Sequence, residues 1–210
     1  MRDEQVAGIP QEPKATRPHL PKGWQKGSRL RSNIEALGMA VGLAIVLRIF
    51  VVQAFTIPSG SMIPTLLVGD YILVNKFIYH FTSVGRGDIV VFRSPEDPDR
   101  DYIKRIIGQP GEKVAIKGGV VFVNGQPLKE AYADANSPGG LGGYMGTWGP
   151  KVVPPGYYFL LGDNRNNSRD SRVWGFLDGG LIRGRAFLVY FSWNGEHHTV
   201  RWSRLGKVLH

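Results

Sequence analysis

The chain of 210 residues contains no cysteine. That absence removes a thiol nucleophile, a disulfide framework and a thiolate metal site at once. It does not fix a compartment, because an extracytoplasmic domain with a good core does without disulfides. Histidine is scarce as well: His19, His80, His197, His198 and His210 are the whole set, and none stands at metal-ligand spacing. No metal and no cofactor are therefore expected. There is no P-loop and no G-x-G-x-x-G, since the glycines between 139 and 146 miss that spacing. No sustained helical period appears after residue 55. The charge excess, +9 overall, is not arranged as basic clusters interleaved with aromatics, so no nucleic-acid partner is expected.

What is present begins with a basic arm. Residues 1–33 carry Arg2, Lys14, Arg17, Lys22, Lys26, Arg29 and Arg31 against Asp3, Glu4 and Glu12, with Pro10, Pro13, Pro18 and Pro21 and little apolar content; a flexible arm is expected there. Leu37 to Phe55 then runs LGMAVGLAIVLRIFVVQAF, with Arg48 its single charge. As a helix it is about 28 Å long, close to a bilayer's hydrocarbon thickness. It is apolar all round, unlike an amphipathic core helix, and no small-x-small site ends it as in a cleavable leader. The layout predicts a transmembrane signal anchor over 34–55, touching membrane lipids. The arm then stays in the cytoplasm and residues 56–210 lie on the outer, periplasmic side of the inner membrane.

Beyond Phe55 short apolar runs alternate with Gly and Pro. Strands are predicted at Tyr71–Asn75, Asp88–Phe92, Tyr102–Ile107, Lys113–Ile116, Val120–Val123, Tyr157–Leu161 and Ala186–Phe191. Gly118-Gly119 and Asn124-Gly125 supply tight turns. The fold class is mainly β, as coiled antiparallel sheets or a partly closed barrel. Residues 131–150, rich in Gly and Pro, are expected to be a surface insertion.

Three segments can carry chemistry. Pro58-Ser59-Gly60-Ser61-Met62-Ile63-Pro64-Thr65 has prolines on its flanks and Gly60 beside Ser61, a presentation suited to a nucleophile; a Pro-Ser-Gly-Ser stretch alone also suits a linker turn. Lys104, inside Asp101-Tyr102-Ile103-Lys104-Arg105-Ile106-Ile107-Gly108, has apolar neighbours that would desolvate its ammonium and make a general base. The alternative is a lysine on the wet face of an edge strand. Gly162 to Arg172 (GDNRNNSRDSR) is a polar loop. Arg165 in a ligand position argues against calcium, and Asx turns with carboxylate–Arg pairs fit better. Asn166-Asn167-Ser168 is formally a glycosylation sequon. A triad using His80 is not excluded by spacing.

Together and in this order, the segments resemble the type I signal (leader) peptidases, over roughly residues 37–130 and 151–192. Ser-Gly-Ser-Met-x-Pro-Thr matches Ser59–Thr65, Gly-Asp-x-Val matches Gly87–Val90, Tyr-x-Lys-Arg-x-x-Gly-x-Pro-Gly matches Tyr102–Gly111, and Gly-Asp-Asn-x-x-x-Ser-x-Asp-Ser-Arg matches Gly162–Arg172. The resemblance implies a serine endopeptidase that removes signal peptides from exported preproteins by a Ser-Lys dyad, cleaving after small, Ala-x-Ala-like residues. It implies Ser61 as nucleophile and Lys104 as base. Ser59 would join the oxyanion hole and Ser168 would orient Lys104. Arg105, Asp163, Asp170 and Arg172 would form structural ion pairs, and Ile57 and Ile103 would line the substrate pockets. Strict alternation sets Ile103 and Lys104 on opposite faces, so a twist or bulge is expected if both face the site. Asn166 replaces a second aspartate that many members carry. The rivals are a self-cleaving repressor-type peptidase, which would carry a DNA-binding domain where this chain has its apolar run, and a non-catalytic membrane-tethered β scaffold. The sequence does not set an oligomeric state.

Overall fold

The computed structural model describes residues 33–43, 52–133 and 147–210. Residues 33–43 are helical and exposed. Among the described residues no helix is long and apolar enough to cross a membrane. The arm over 1–33, bar its last residue, and Arg48 fall outside the described residues. So does the middle of the apolar run, residues 44–51.

Among the described residues thirteen strands follow: β1 Val52–Thr56, β2 Asp70–Asn75, β3 Ile89–Arg93, β4 Asp101–Gly108, β5 Lys113–Lys117, β6 Val120–Val123, β7 Gln126–Pro127, β8 Thr147–Val152, β9 Tyr157–Leu161, β10 Leu177–Asp178, β11 Ile182–Asn194, β12 Thr199–Val200 and β13 Lys207–Val208. One sheet runs β1-β2-β11-β3-β4-β9-β10, with β12 and β13 also on β11; the second runs β7-β6-β5-β8. Every pairing is antiparallel. The mainly β class holds, as antiparallel sheets, and among the described residues neither sheet closes into a full barrel: the larger one ends at β1 and β10.

Two expectations about boundaries change. The apolar run does not stay helical to Phe55, because Val52–Phe55 pairs residue by residue with Asn75–Ile72; a stretch beside an open strand edge satisfies its backbone in the ladder. The Gly- and Pro-rich stretch 131–150 is not all insertion either. Its last four residues open β8, where Trp148 packs on Phe159 at 4.3 Å between ring centres and on Phe176 at 5.9 Å. Residues 134–146 lie outside the described residues.

The turn chemistry explains the second sheet. Gly118 and Gly119, both at positive φ, join β5 to β6, and Asn124 and Gly125, also at positive φ, turn β6 into β7. Such φ values match the right-handed twist of a two-residue hairpin. β2 alternates buried and half-buried residues, as a strand with one covered face should. β4 does not: it is buried continuously from Ile103 to Gly108, lying between β3 and β9. Its three isoleucines enter three separate apolar clusters. Ile103 joins Ile57, Met62, Leu66 and Ile72; Ile106 joins Val90, Phe92 and Leu160; Ile107 joins Val114, Val153, Phe159 and Leu161. At about 1.5–3 kcal/mol per buried isoleucine, β4 is fixed from three sides, and with it the residue between Ile103 and Arg105.

Candidate active site

Ser61 sits on the turn that leaves β1. Ile57 closes the ladder by donating its N–H to Asp70 O, and Gly69 N–H donates back to Ile57 O. Met62 and Leu66, both fully buried, pin the turn to the first apolar cluster from below. That leaves Pro58 and Ser59 exposed above and Ser61 at the base of an open cleft of about 570 Å³. Pro58, Ser59, Gly60, Arg100, Asp101, Tyr102, Ile103, Lys104, Asn167 and Arg169 complete its lining.

Lys104 comes to Ser61 from β4. Its side chain is 5% exposed, and Nζ donates to Ser61 Oγ at 2.8 Å and to the Ile103 carbonyl at 2.9 Å. Burial pulls the ammonium pKa down to about 8; Asp170 and Asp163 pull the other way, and Arg172 adds to the lowering. The wet edge-strand alternative for Lys104 is thereby removed.

The two carboxylates facing Lys104 are each claimed by an arginine. Arg105 grips Asp163 with Nε on Oδ1 at 2.9 Å and Nη2 on Oδ2 at 2.7 Å, and the pair is fully buried. Arg172 holds Asp170 through Nε and Nη2, both at 2.8 Å. Bidentate pairing of this kind fixes geometry as well as charge. Without it, two buried carboxylates would hold Lys104 protonated.

The loop 162–172 also grips the serine segment. Asp170 Oδ2 accepts from Gly162 N–H, Thr65 Oγ1 donates to Asp163 Oδ2, and Asn164 N–H donates to Ser61 O at 3.1 Å. Gly162 is required by space: a Cβ there would lie 2.2 Å from Ser168 Oγ and 2.4 Å from Ser61 O.

Of the residues singled out from sequence, Ser59, Ser61, Ile103 and Lys104 meet at the cleft, and Arg105, Asp163, Asp170 and Arg172 form the ion pairs behind it. Two placements differ from expectation. Ser168 is buried beside Gly162, but its Oγ has no hydrogen-bond partner among the described residues; the expected bond to Lys104 is replaced by the Ile103 carbonyl. Ile57 points into the first apolar cluster and does not line the cleft, a position taken by Pro58. No bulge separates Ile103 from Lys104 either: they pair with Val91 and Val90 in unbroken register, and the shift in β4 comes later, between Ile106 and Gly108 against β9. Both reach the cleft because the lysine chain is long enough to bring its amine back over the Ile103 carbonyl.

His80 stacks on Phe77 at 4.7 Å between ring centres and does not line the cleft. Among the described residues no group of three His, Asp or Glu side chains is placed to hold a metal. Sequence reasoning missed Thr65, Asn164 and the buried pair Arg165–Glu130, joined by two bonds of 2.7 and 2.6 Å. Thr65 and Asn164 lie inside the matched motifs, and their polar side chains there were the available signal. Glu130, distant in sequence, gave none.

A hydroxyl touching a buried amine of lowered pKa, at the base of an open cleft, is the equipment of a hydrolase that attacks with oxygen. Comparison with known proteins agrees. The family model described as signal peptidase, peptidase S26, matches residues 30–193. A signal peptidase I of Leptolyngbya laminosa is 42% identical over 192 residues, covering 88% of each chain. A probable signal peptidase I-1 of Synechocystis is 41% identical over 195 residues, covering 89% of this chain and 91% of the relative. A signal peptidase I of Aquifex aeolicus is 34% identical over 217 residues, covering 78% and 85%. The chain belongs to the peptidase S26 family of signal peptidases and is a serine endopeptidase.

Proposed function

We propose that this chain removes signal peptides from exported preproteins with Ser61 as nucleophile and Lys104 as general base. The observation that carries the reading is the 2.8 Å contact between Ser61 Oγ and the buried Lys104 amine. An ordinary lysine is neutral in fewer than about one molecule per thousand at pH 7; with a pKa near 8 the neutral share rises to about one in ten. In that form the Ser61 hydroxyl donates its proton to Nζ as Oγ attacks the carbonyl before the scissile bond. The resulting oxyanion is held by the Ser61 amide and the Ser59 hydroxyl. The lysine returns the proton to the leaving amine, then takes one from the water that frees the acyl group.

The substrate lies extended in the cleft, with small Ala-x-Ala-like residues against Pro58 and Ile103. The apolar run before β1 tethers the chain to membrane lipid with its basic arm inside, which places the cleft on the outer surface where preproteins emerge. Purified chain in detergent should process a preprotein at its signal-peptide junction, and Ser61→Ala should fold normally and cleave slower by several orders of magnitude. Processing that survives in Ser61→Ala defeats the reading; a wild-type chain that processes nothing leaves the membrane-tethered scaffold.

A further inference from the structure

The peptide group between Gly60 and Ser61 is held at one end only. Its carbonyl, Gly60 O, accepts from Asn164 Nδ2 at 3.0 Å and from Ile63 N–H at 3.2 Å. Its N–H, the amide of Ser61, donates to nothing among the described residues, although Gly60 and Ser61 both line the cleft. The bond is trans, so the carbonyl and the N–H of this one rigid plane point in opposite directions. Whatever fixes the carbonyl therefore aims the amide.

Asn164 is built for that one contact. It is 4% exposed, and its own N–H holds the next carbonyl, Ser61 O, at 3.1 Å, so its backbone is already tied to the serine turn. Its side-chain Oδ1 is buried without a hydrogen-bond partner among the described residues. Turning the amide over would not relieve that, because it would set oxygen against the Gly60 carbonyl. A buried polar group left half-satisfied calls for an explanation, and the contact of Nδ2 with Gly60 O supplies one.

We propose that Asn164 is a positioning residue for the oxyanion hole: by holding the Gly60 carbonyl it turns the Ser61 N–H into the cleft, where charge develops on the carbonyl oxygen under attack. This rests on the reading of Ser61 as nucleophile. Asn164 touches neither substrate nor Lys104; it acts through one peptide plane. The contribution belongs to the transition state, since the donor gains most once the oxygen carries charge.

The test is steady-state cleavage of one preprotein by wild type, Ser61→Ala, Asn164→Leu, which keeps the side chain's size without its donor, and Asn164→Ser, whose hydroxyl is too short to reach. Both Asn164 variants should lose about 10- to 100-fold in kcat, the scale of a slightly misaimed group, with KM within about twofold of wild type. The alkaline limb of the pH profile should not move, because Lys104 keeps its surroundings. If either variant folds and keeps the wild-type kcat, the inference is overturned. It is equally overturned if the limb shifts, or if KM rises as Tm falls, for then Asn164 serves the lysine or the fold. Should Asn164→Leu not fold, Asn164→Ser, which only removes bulk, decides alone. Activity surviving in Ser61→Ala instead sinks the parent reading, a result no Asn164 variant can imitate.

Discussion

At the scale of single residues the governing quantity is the protonation of Lys104. Its pKa in the fold, about 8, lies below the ordinary 10.5 because burial penalises the ammonium. Between those two values the unfolded chain binds more protons than the folded one, so this group makes stability rise with pH through that window. Below about pH 8 both states are protonated and the full penalty, about 3 kcal/mol, is present; above about 10.5 it is gone. Lys104→Met, which fills the space without a charge, should therefore abolish cleavage yet raise Tm at pH 7, with the gain shrinking toward pH 10. Thermal melts at both pH values check this, and a Tm gain that does not shrink would mean Lys104 is not the strained group. Lys104→Arg should be inactive too, since a guanidinium stays protonated. The two carboxylates nearest the lysine do not undo its lowered pKa, because Arg105 and Arg172 already occupy them.

At the scale of elements the site is a clasp between the turn after β1, the middle of β4 and the loop after β9. The closest approach is at Gly162, where Ser61 O and Ser168 Oγ leave no room for a Cβ. Gly162→Ala should push the serine turn off the loop, costing about 1–3 kcal/mol in stability and most of the activity, because Ser61, pressed against Gly162 through its own carbonyl, would be displaced from Lys104 on β4. A melt and a cleavage assay on this variant are the check; wild-type values in both would show the seam to be loose. Much of this was legible beforehand. Strands β2 to β6 and β9 carry clear apolar patterns between Gly and Pro turns, and the motifs name both ends of the Ser61–Lys104 contact. β1 was hidden because its residues continue an apolar run that reads as helix, and only the open edge of β2 makes it a strand. β8 was hidden by Gly149 and Pro150. Ile57 was assigned to the substrate pockets by the family resemblance alone, and in the fold it is buried in the first apolar cluster. The role of Asn164 depends on a contact across 104 residues, beyond any local pattern.

At the scale of the whole molecule, the antiparallel β domain holds a preformed cleft, while the basic arm and apolar run precede it. On the proposed topology, protease added to spheroplasts should digest residues 56–210 and spare the arm; digestion of the arm alone would reverse the orientation. The account as a whole stands on a lysine acting as base without a histidine. The pH dependence of kcat/KM for preprotein cleavage, measured on the intact chain in detergent and on its His80→Ala variant, addresses that most directly. The expected profile climbs with pH through an alkaline limb near 8, set by Lys104, and is identical in His80→Ala. A limb near 6.5, the ordinary range of histidine, that disappears in His80→Ala would contradict it.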